Sequence, residues 1–135
     1  IAVLIRTYSG LKIKFIGKKE LFNPITSFFF KFLGGIPVDR SKNTNIVDEV
    51  VSLFDQNEIE ILAIAPEGTR KEVKKWKSGF YYIALNANLP ILMVSFDYMK
   101  KEVVIHNKFS PTGDINKDFI ELEKKVSDVV SRNRL

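Results

Sequence analysis

Two arginines, each just past a short extended stretch, are the side chains best suited to chemistry. Arg40 follows Ile36-Pro37-Val38-Asp39, and Arg70 closes the run Pro66-Glu67-Gly68-Thr69-Arg70. A guanidinium is a planar fork that matches phosphate or carboxylate with two parallel hydrogen bonds. Glu67 adds a carboxylate and Thr69 a small hydroxyl, while Gly68 permits an unusual backbone angle or a close approach. The chemistry implied is the binding of an anionic group. The plainer alternatives are a charged turn after a core strand, and an Arg40 that pairs with Asp39 on the surface.

The elements that must position these residues follow from periodicity. Ile61 to Ala65 is a short uninterrupted apolar run, the pattern of a strand covered on both faces. Pro66 ends its ladder because it has no N–H to give. Ligands of open α/β sheets bind at the carboxyl ends of such strands. Upstream, Lys12 to Lys18 alternates, with Ile13 and Phe15 on one face and Lys12 and Lys14 on the other, as in a half-buried strand. Gly17 to Glu20 is its polar exit.

Pro24 to Leu33 has the pattern of a short helix, with Pro24 in the first turn. Ile25, Phe28, Phe29 and Phe32 form its apolar stripe and Phe30 widens it. The stripe predicts a core face; the alternative is a lining for a hydrocarbon slot or a contact with a bilayer. Gly34-Gly35 stops the helix. Asn45 is placed to cap a second helix with Ile46, Val47, Val50, Val51 and Phe54 inward. Arg70 to Lys77 is a lysine-rich loop around Trp76. Ser78 caps a helix with Phe80, Ile83, Ala84 and Ala87 inward.

Leu89 to Phe96 has the composition of another buried strand, Asp97 to Lys101 of a turn, and Glu102 to His106 of a strand returning antiparallel. Asp114 caps the last helix, with Phe119, Leu122, Val126, Val129 and Val130 on its inner face. At the other end, Ile1, Leu4, Ile5 and Tyr8 have helical spacing and Gly10 supplies a stop, but no cap precedes them. The expectation is that this helix continues one that starts before Ile1. Strands alternating with helices predict a three-layer α/β fold, with a mostly parallel mixed sheet, an antiparallel edge and flanking helices. Residues 1–135 are expected to form a single domain whose start lies upstream.

Composition bounds the function. No cysteine is present among the 135 residues, which excludes a disulfide framework, a thiolate metal site and a cysteine nucleophile. No apolar run approaches the length of a membrane span. A net charge of +5 favours anionic partners: nucleic acid, an acidic carrier protein, a phosphorylated metabolite or an anionic lipid surface. A nucleic-acid binder has only that charge in its favour, since neither an aromatic-basic RNA signature nor a DNA-reading helix is recognisable.

Three ordered segments carry a resemblance. Gly34-Gly35-Ile36-Pro37-Val38-Asp39-Arg40, Pro66-Glu67-Gly68-Thr69-Arg70 and Leu89-Pro90-Ile91-Leu92-Met93-Val94 resemble the second, third and fourth blocks of the glycerolipid acyltransferase family, which includes 1-acylglycerol-3-phosphate acyltransferases. Ile16-Gly17-Lys18-Lys19-Glu20-Leu21 resembles the family too, and the similarity runs over most of Lys12 to Phe96. One departure is Met93, where the family usually has a second proline.

The resemblance implies an O-acyltransferase of phospholipid biosynthesis that moves a fatty acyl group from an acyl thioester to the hydroxyl of a lysophospholipid such as 1-acylglycerol-3-phosphate. The donor is acyl-coenzyme A or acyl-carrier protein, a substrate, and no cofactor or metal is implied. Arg40, Glu67, Gly68, Thr69 and Arg70 become substrate-binding residues for the acceptor's phosphate or polar head. The family's catalytic block, HxxxxD, supplies a histidine base whose tautomer the aspartate holds. Residues 1–135 do not contain it: the one histidine, His106, stands in His-Asn-Lys-Phe-Ser-Pro and has the character of a plain strand residue. The block is expected just before Ile1. A second possibility is a non-catalytic anionic-lipid-binding module of the same fold. Both imply peripheral attachment to the cytoplasmic face of an anionic membrane, through the aromatic cluster Phe22, Phe28, Phe29 and Phe30 or through the basic loop with Trp76.

Overall fold

The computed structural model describes residues 10–38, 46–67 and 75–132, and it is a mixed α/β fold as the sequence predicts. The expected helix at 1–8 and the Asn45 cap lie outside those residues. The chain divides into two compact units, Ile1–Ile83 and Ala84–Leu135.

In the first unit, strands β1 (Ile13–Lys18), β2 (Gly35–Val38) and β3 (Ile61–Ala63) form a parallel sheet in the order β2-β1-β3. Ile16 pairs with Ile36, and Lys14 with Leu62. The alternating segment is therefore the middle strand among the described residues, and the apolar run is at the edge. Ile61 and Ile64 stay partly exposed, against the expectation of a strand covered on both faces. An apolar run reports that a segment avoids water and not which strand is central; in the middle strand Lys14 shares the face of Ile16 and is only half-buried.

The two faces of this sheet are covered differently. Ile16, Ile36 and Leu62 share one face and pack on a core of Val50, Ile59 and Ile83, joined by Ile46, Val47, Leu53 and Phe54. These come largely from helix α2 (Ile46–Asp55), whose inward face is close to the one its spacing predicts. The helix ends where Asn57 takes a left-handed backbone (φ 56°) and Glu58 donates its N–H to the Leu53 carbonyl at 3.0 Å.

On the opposite face are Phe15, Gly17 and Gly35. Absent side chains at the two glycines make room for the Phe22 ring, which stands 2.9 Å from where a Cβ at either would be. Phe22 meets Phe30 at 5.7 Å between ring centres, and Phe30 meets Phe29 edge-on at 5.8 Å. Phe30 lies on helix α1 (Ser27–Phe32), so sheet and helices form three layers within this unit.

Helix α1 is shorter than the predicted Pro24–Leu33, but its first hydrogen-bonded turn begins at Asn23. Ser27 donates to the Asn23 carbonyl at 2.8 Å, and the Asn23 side chain accepts the N–H groups of Ile25 and Thr26, each at 3.0 Å. Thr26 Oγ1 donates to the Leu21 carbonyl. Pro24 follows this cap where a missing N–H is harmless.

Helix α3 (Gly79–Asn86) starts as expected: Tyr81 and Tyr82 donate to the Ser78 carbonyl at 3.0 and 3.2 Å. Ile83 and Ala84 are buried, as is Tyr81, which the spacing did not single out.

In the second unit, β4 (Val94–Asp97) and β5 (Glu102–Ile105) form an antiparallel pair with Val94 opposite Ile105 and Asp97 opposite Glu102. The strand predicted over Leu89–Phe96 therefore starts later and is only half-buried. Pro90 has no N–H, and the preceding segment pairs through a single bridge, Ile91 to Phe109. Helix α4 (Ile115–Arg132) buries Leu122, Val126 and Val129. Asp114 caps it, accepting the Lys117 N–H at 3.2 Å.

Candidate functional site

Two parallel strands flanking a third must send their following loops out at the same end of the sheet. Here β2 ends at Val38, two residues before Arg40, and β3 ends at Ala63, shortly before Glu67. Both pair in parallel with β1. Two strand spacings, about 10 Å, separate β2 from β3 across β1, and β3 stops three residues short of β2, since Ala63 pairs with Phe15 and Val38 with Lys18. Arg40, Gly68, Thr69 and Arg70 themselves lie outside the described residues. Glu67 is described: it is exposed, in the turn that Pro66 opens.

The chain that carries Glu67 is pinned where it returns. Lys77 donates its backbone N–H to the Pro66 carbonyl at 2.8 Å, so residues 66–77 leave and return at one point. Trp76 is half-buried and meets Phe80 edge-on at 6.2 Å. It anchors the loop and does not offer a free ring, whereas Lys75 and Lys77 beside it are exposed.

The parallel register adds two cations. Lys18 is the last residue of β1, paired with Val38, and Lys19 follows it; both are exposed. They leave the sheet between the exits of β2 and β3. Their run with Glu20 suggests only a polar exit in the sequence, and the signal that finds them is that β1 is the middle strand.

In the second unit, the fourth block lines an open pocket of about 300 Å³ through Leu89 and Pro90, with Lys108 adding positive charge. His106 stands one residue past β5, donates its backbone N–H to the Met93 carbonyl at 3.0 Å, and shares a 2.9 Å hydrogen bond with the buried Ser95 hydroxyl through Nε2. Among the described residues no group of His, Asp and Glu side chains could hold a metal ion.

Residues 1–97 match the Acyltransferase family. The chain belongs to that family. A comparison with curated proteins gives no match. Among solved structures, this acyltransferase-family chain is similar to the 1-acyl-sn-glycerophosphate (LPA) acyltransferase PlsC from Thermotoga maritima, with 22% identity and a TM-score of 0.62. The likeness covers 89% of this chain and 56% of PlsC, so the chain spans little more than half the length of that protein. At this identity the match bears on the fold, and it agrees with the parallel sheet, antiparallel pair and flanking helices described above.

Proposed function

We propose that this chain is the acceptor-binding part of an acyltransferase that moves a fatty acyl group from an acyl thioester to the hydroxyl of a lysophospholipid such as 1-acylglycerol-3-phosphate. Family membership supports acyl transfer in general. The observation that carries the acceptor reading is that β2 and β3, parallel to β1, lead into the Arg40 and Glu67–Arg70 segments from one end of one sheet.

In this reading the acceptor hydroxyl oxygen attacks the thioester carbonyl. A C–O ester bond forms, the C–S bond breaks, and coenzyme A or acyl-carrier protein leaves as the thiol, taking up the hydroxyl proton by way of a base. The resemblance assigns that base to the histidine of an HxxxxD block, which residues 1–135 do not contain. These residues serve the acceptor: Arg40 and Arg70 grip its phosphate, Glu67 and Thr69 bind its polar head, and Gly68 lets the backbone come close. Lys18 and Lys19 raise the local positive potential. The pocket beside Leu89 and Pro90 is a candidate for acyl or acceptor packing. The thioester is a substrate and no cofactor is required. The protein works peripherally at the cytoplasmic membrane face. A non-catalytic anionic-lipid-binding module of the same fold is the second reading: His106 is bonded to Ser95 and has no aspartate five residues after it.

The test is calorimetric. Lysophosphatidate is expected to bind, and Arg40→Ala or Arg70→Ala to weaken it at least about tenfold each, the scale of a charge-assisted hydrogen-bond pair. Monoacylglycerol, which lacks the phosphate, is expected to bind weakly to all three proteins. Equal affinity of the parent for both lipids overturns the proposal.

A further inference from the structure

Helix α1 is turned the opposite way from its sequence pattern. Ile25, Phe28, Phe29 and Phe32 fall on one side at 3.6 residues per turn, and they are 90%, 83%, 58% and 70% exposed. The spacing predicts that stripe as core, and the structure overturns this. The reason is local. Phe30 projects from the other side of the helix onto Phe22, and Phe22 fills the space left by Gly17 and Gly35. Thr26, also off the stripe, is tied to the Leu21 carbonyl and to Asn23 Oδ1. These contacts fix the rotation of the helix, and three phenylalanines and an isoleucine are left facing outward. Phe22 and Phe30, named in the sequence with the exposed aromatics, are inward anchors.

An exposed apolar stripe of this kind marks a docking surface, and its surroundings say for what. Lys31 is exposed on the helix flank, Lys18 and Lys19 are exposed in the segment leading to it, and Glu20 is the one acid between Lys18 and Phe32. Outward aromatic rings beside lysines fit an anionic bilayer surface: the rings enter the acyl boundary while ammonium groups meet phosphates. No described helix is long and apolar enough to cross a membrane.

We infer that the outward face of α1, Phe28, Phe29 and Phe32 with Lys31 at its flank, together with Ile25 in the turn before it, inserts into the surface of an anionic lipid bilayer. The lipid character of the partner rests on the proposed acyltransferase reading; the exposed face does not. Insertion here would hold the protein on the membrane that contains its acceptor.

The experiment is cosedimentation of the chain with mixed phosphatidylcholine–phosphatidylglycerol vesicles and with pure phosphatidylcholine vesicles, without lysophospholipid or acyl donor, so that failure of acceptor recognition cannot affect it. The parent is expected to sediment with the mixed vesicles and poorly with the neutral ones. Phe28→Glu with Phe32→Glu is expected to reduce partitioning at least about tenfold, since two inserting rings are lost and two like charges added. Phe28→Leu with Phe32→Leu should retain most of it. Thermal melting checks that the variants fold. If the glutamate variant does not fold, Ile25→Trp replaces it: brominated acyl chains should quench the added emission. Glutamate variants that bind as tightly as the parent, emission added by Ile25→Trp that is not quenched, or a parent that ignores vesicles but forms a dimer dissociated by Phe28→Glu and Phe32→Glu each overturn the inference.

Discussion

Lys77 and Pro66 are joined by a 2.8 Å backbone hydrogen bond that closes the segment carrying Glu67, Gly68, Thr69 and Arg70 into a loop. The bond uses Lys77's main chain and leaves its side chain exposed, beside exposed Lys75. Replacing both lysines with glutamate should therefore preserve the loop while reversing its charge. The expected outcome is an unchanged melting temperature and at least about tenfold weaker binding of acyl-coenzyme A, with the loss shrinking as salt is raised. Fluorescence titration at low and high salt checks this. Undiminished binding at low salt would show that the donor approaches elsewhere.

A second prediction tests what sets the rotation of α1. A Cβ at Gly35 would lie 2.9 Å from both Phe22 Cζ and the Phe30 carbonyl oxygen. The carbonyl is backbone and cannot step aside, so Gly35→Ala should destabilise by about 1–3 kcal/mol through overpacking. Gly79 is the contrast, since a Cβ there meets nothing within 4 Å. At the start of α3, Gly79→Ala should be neutral or stabilising by up to about 1 kcal/mol, because alanine loses less backbone freedom on folding. Urea denaturation of both variants measures the difference, and an equal effect at the two sites would contradict the packing account.

A third prediction concerns Asp118, fully buried at the start of α4. Its carboxylate accepts the Thr112 N–H at 2.7 Å and the Thr112 hydroxyl at 2.8 Å, fastening the preceding loop to the helix. Asp118→Ala removes the acceptor of both part-buried bonds and is expected to cost about 2 kcal/mol. Asp114→Ala removes an exposed cap and should cost about 1 kcal/mol. Melting temperatures in that order support the assignment; the reverse order refutes it.

Asp114 and Asp118 also show what was legible in the sequence. A cap is a local signal, a polar residue just before an apolar period, and Asp114 carries it. Asp118 acts on a residue six positions back through a loop whose path no periodicity encodes. The same division runs through the fold. Strand and helix positions follow from spacing: β1, β2, α2 and the β4–β5 hairpin are near their expected places. Which strand is central and which way α1 faces depend on contacts between distant residues, such as Phe22 with Gly35. Of the candidate site, residue types and order were legible, and so was their position after strands. The placing of Lys18 and Lys19 at the same end of the sheet was not, because it follows from β1 standing between β2 and β3.

The last prediction separates the acceptor site from the reaction. Residues 1–135 have one histidine, and it is engaged: His106 Nε2 bonds Ser95, and its backbone N–H donates to the Met93 carbonyl. No aspartate stands five residues after it, the spacing that HxxxxD requires, since position 111 is Pro111. The 135-residue chain, given acyl-coenzyme A and lysophosphatidate, is therefore expected to release thiol no faster than buffer, although it binds the acceptor. His106→Ala leaves the Ser95 hydroxyl without this partner and should lower stability by about 1 kcal/mol without changing lysophosphatidate affinity. A thiol-release assay and calorimetry on the parent and the variant read these outcomes separately. Turnover by the parent that His106→Ala abolishes would make the Ser95–His106 pair part of the chemistry and refute the structural role given to it here.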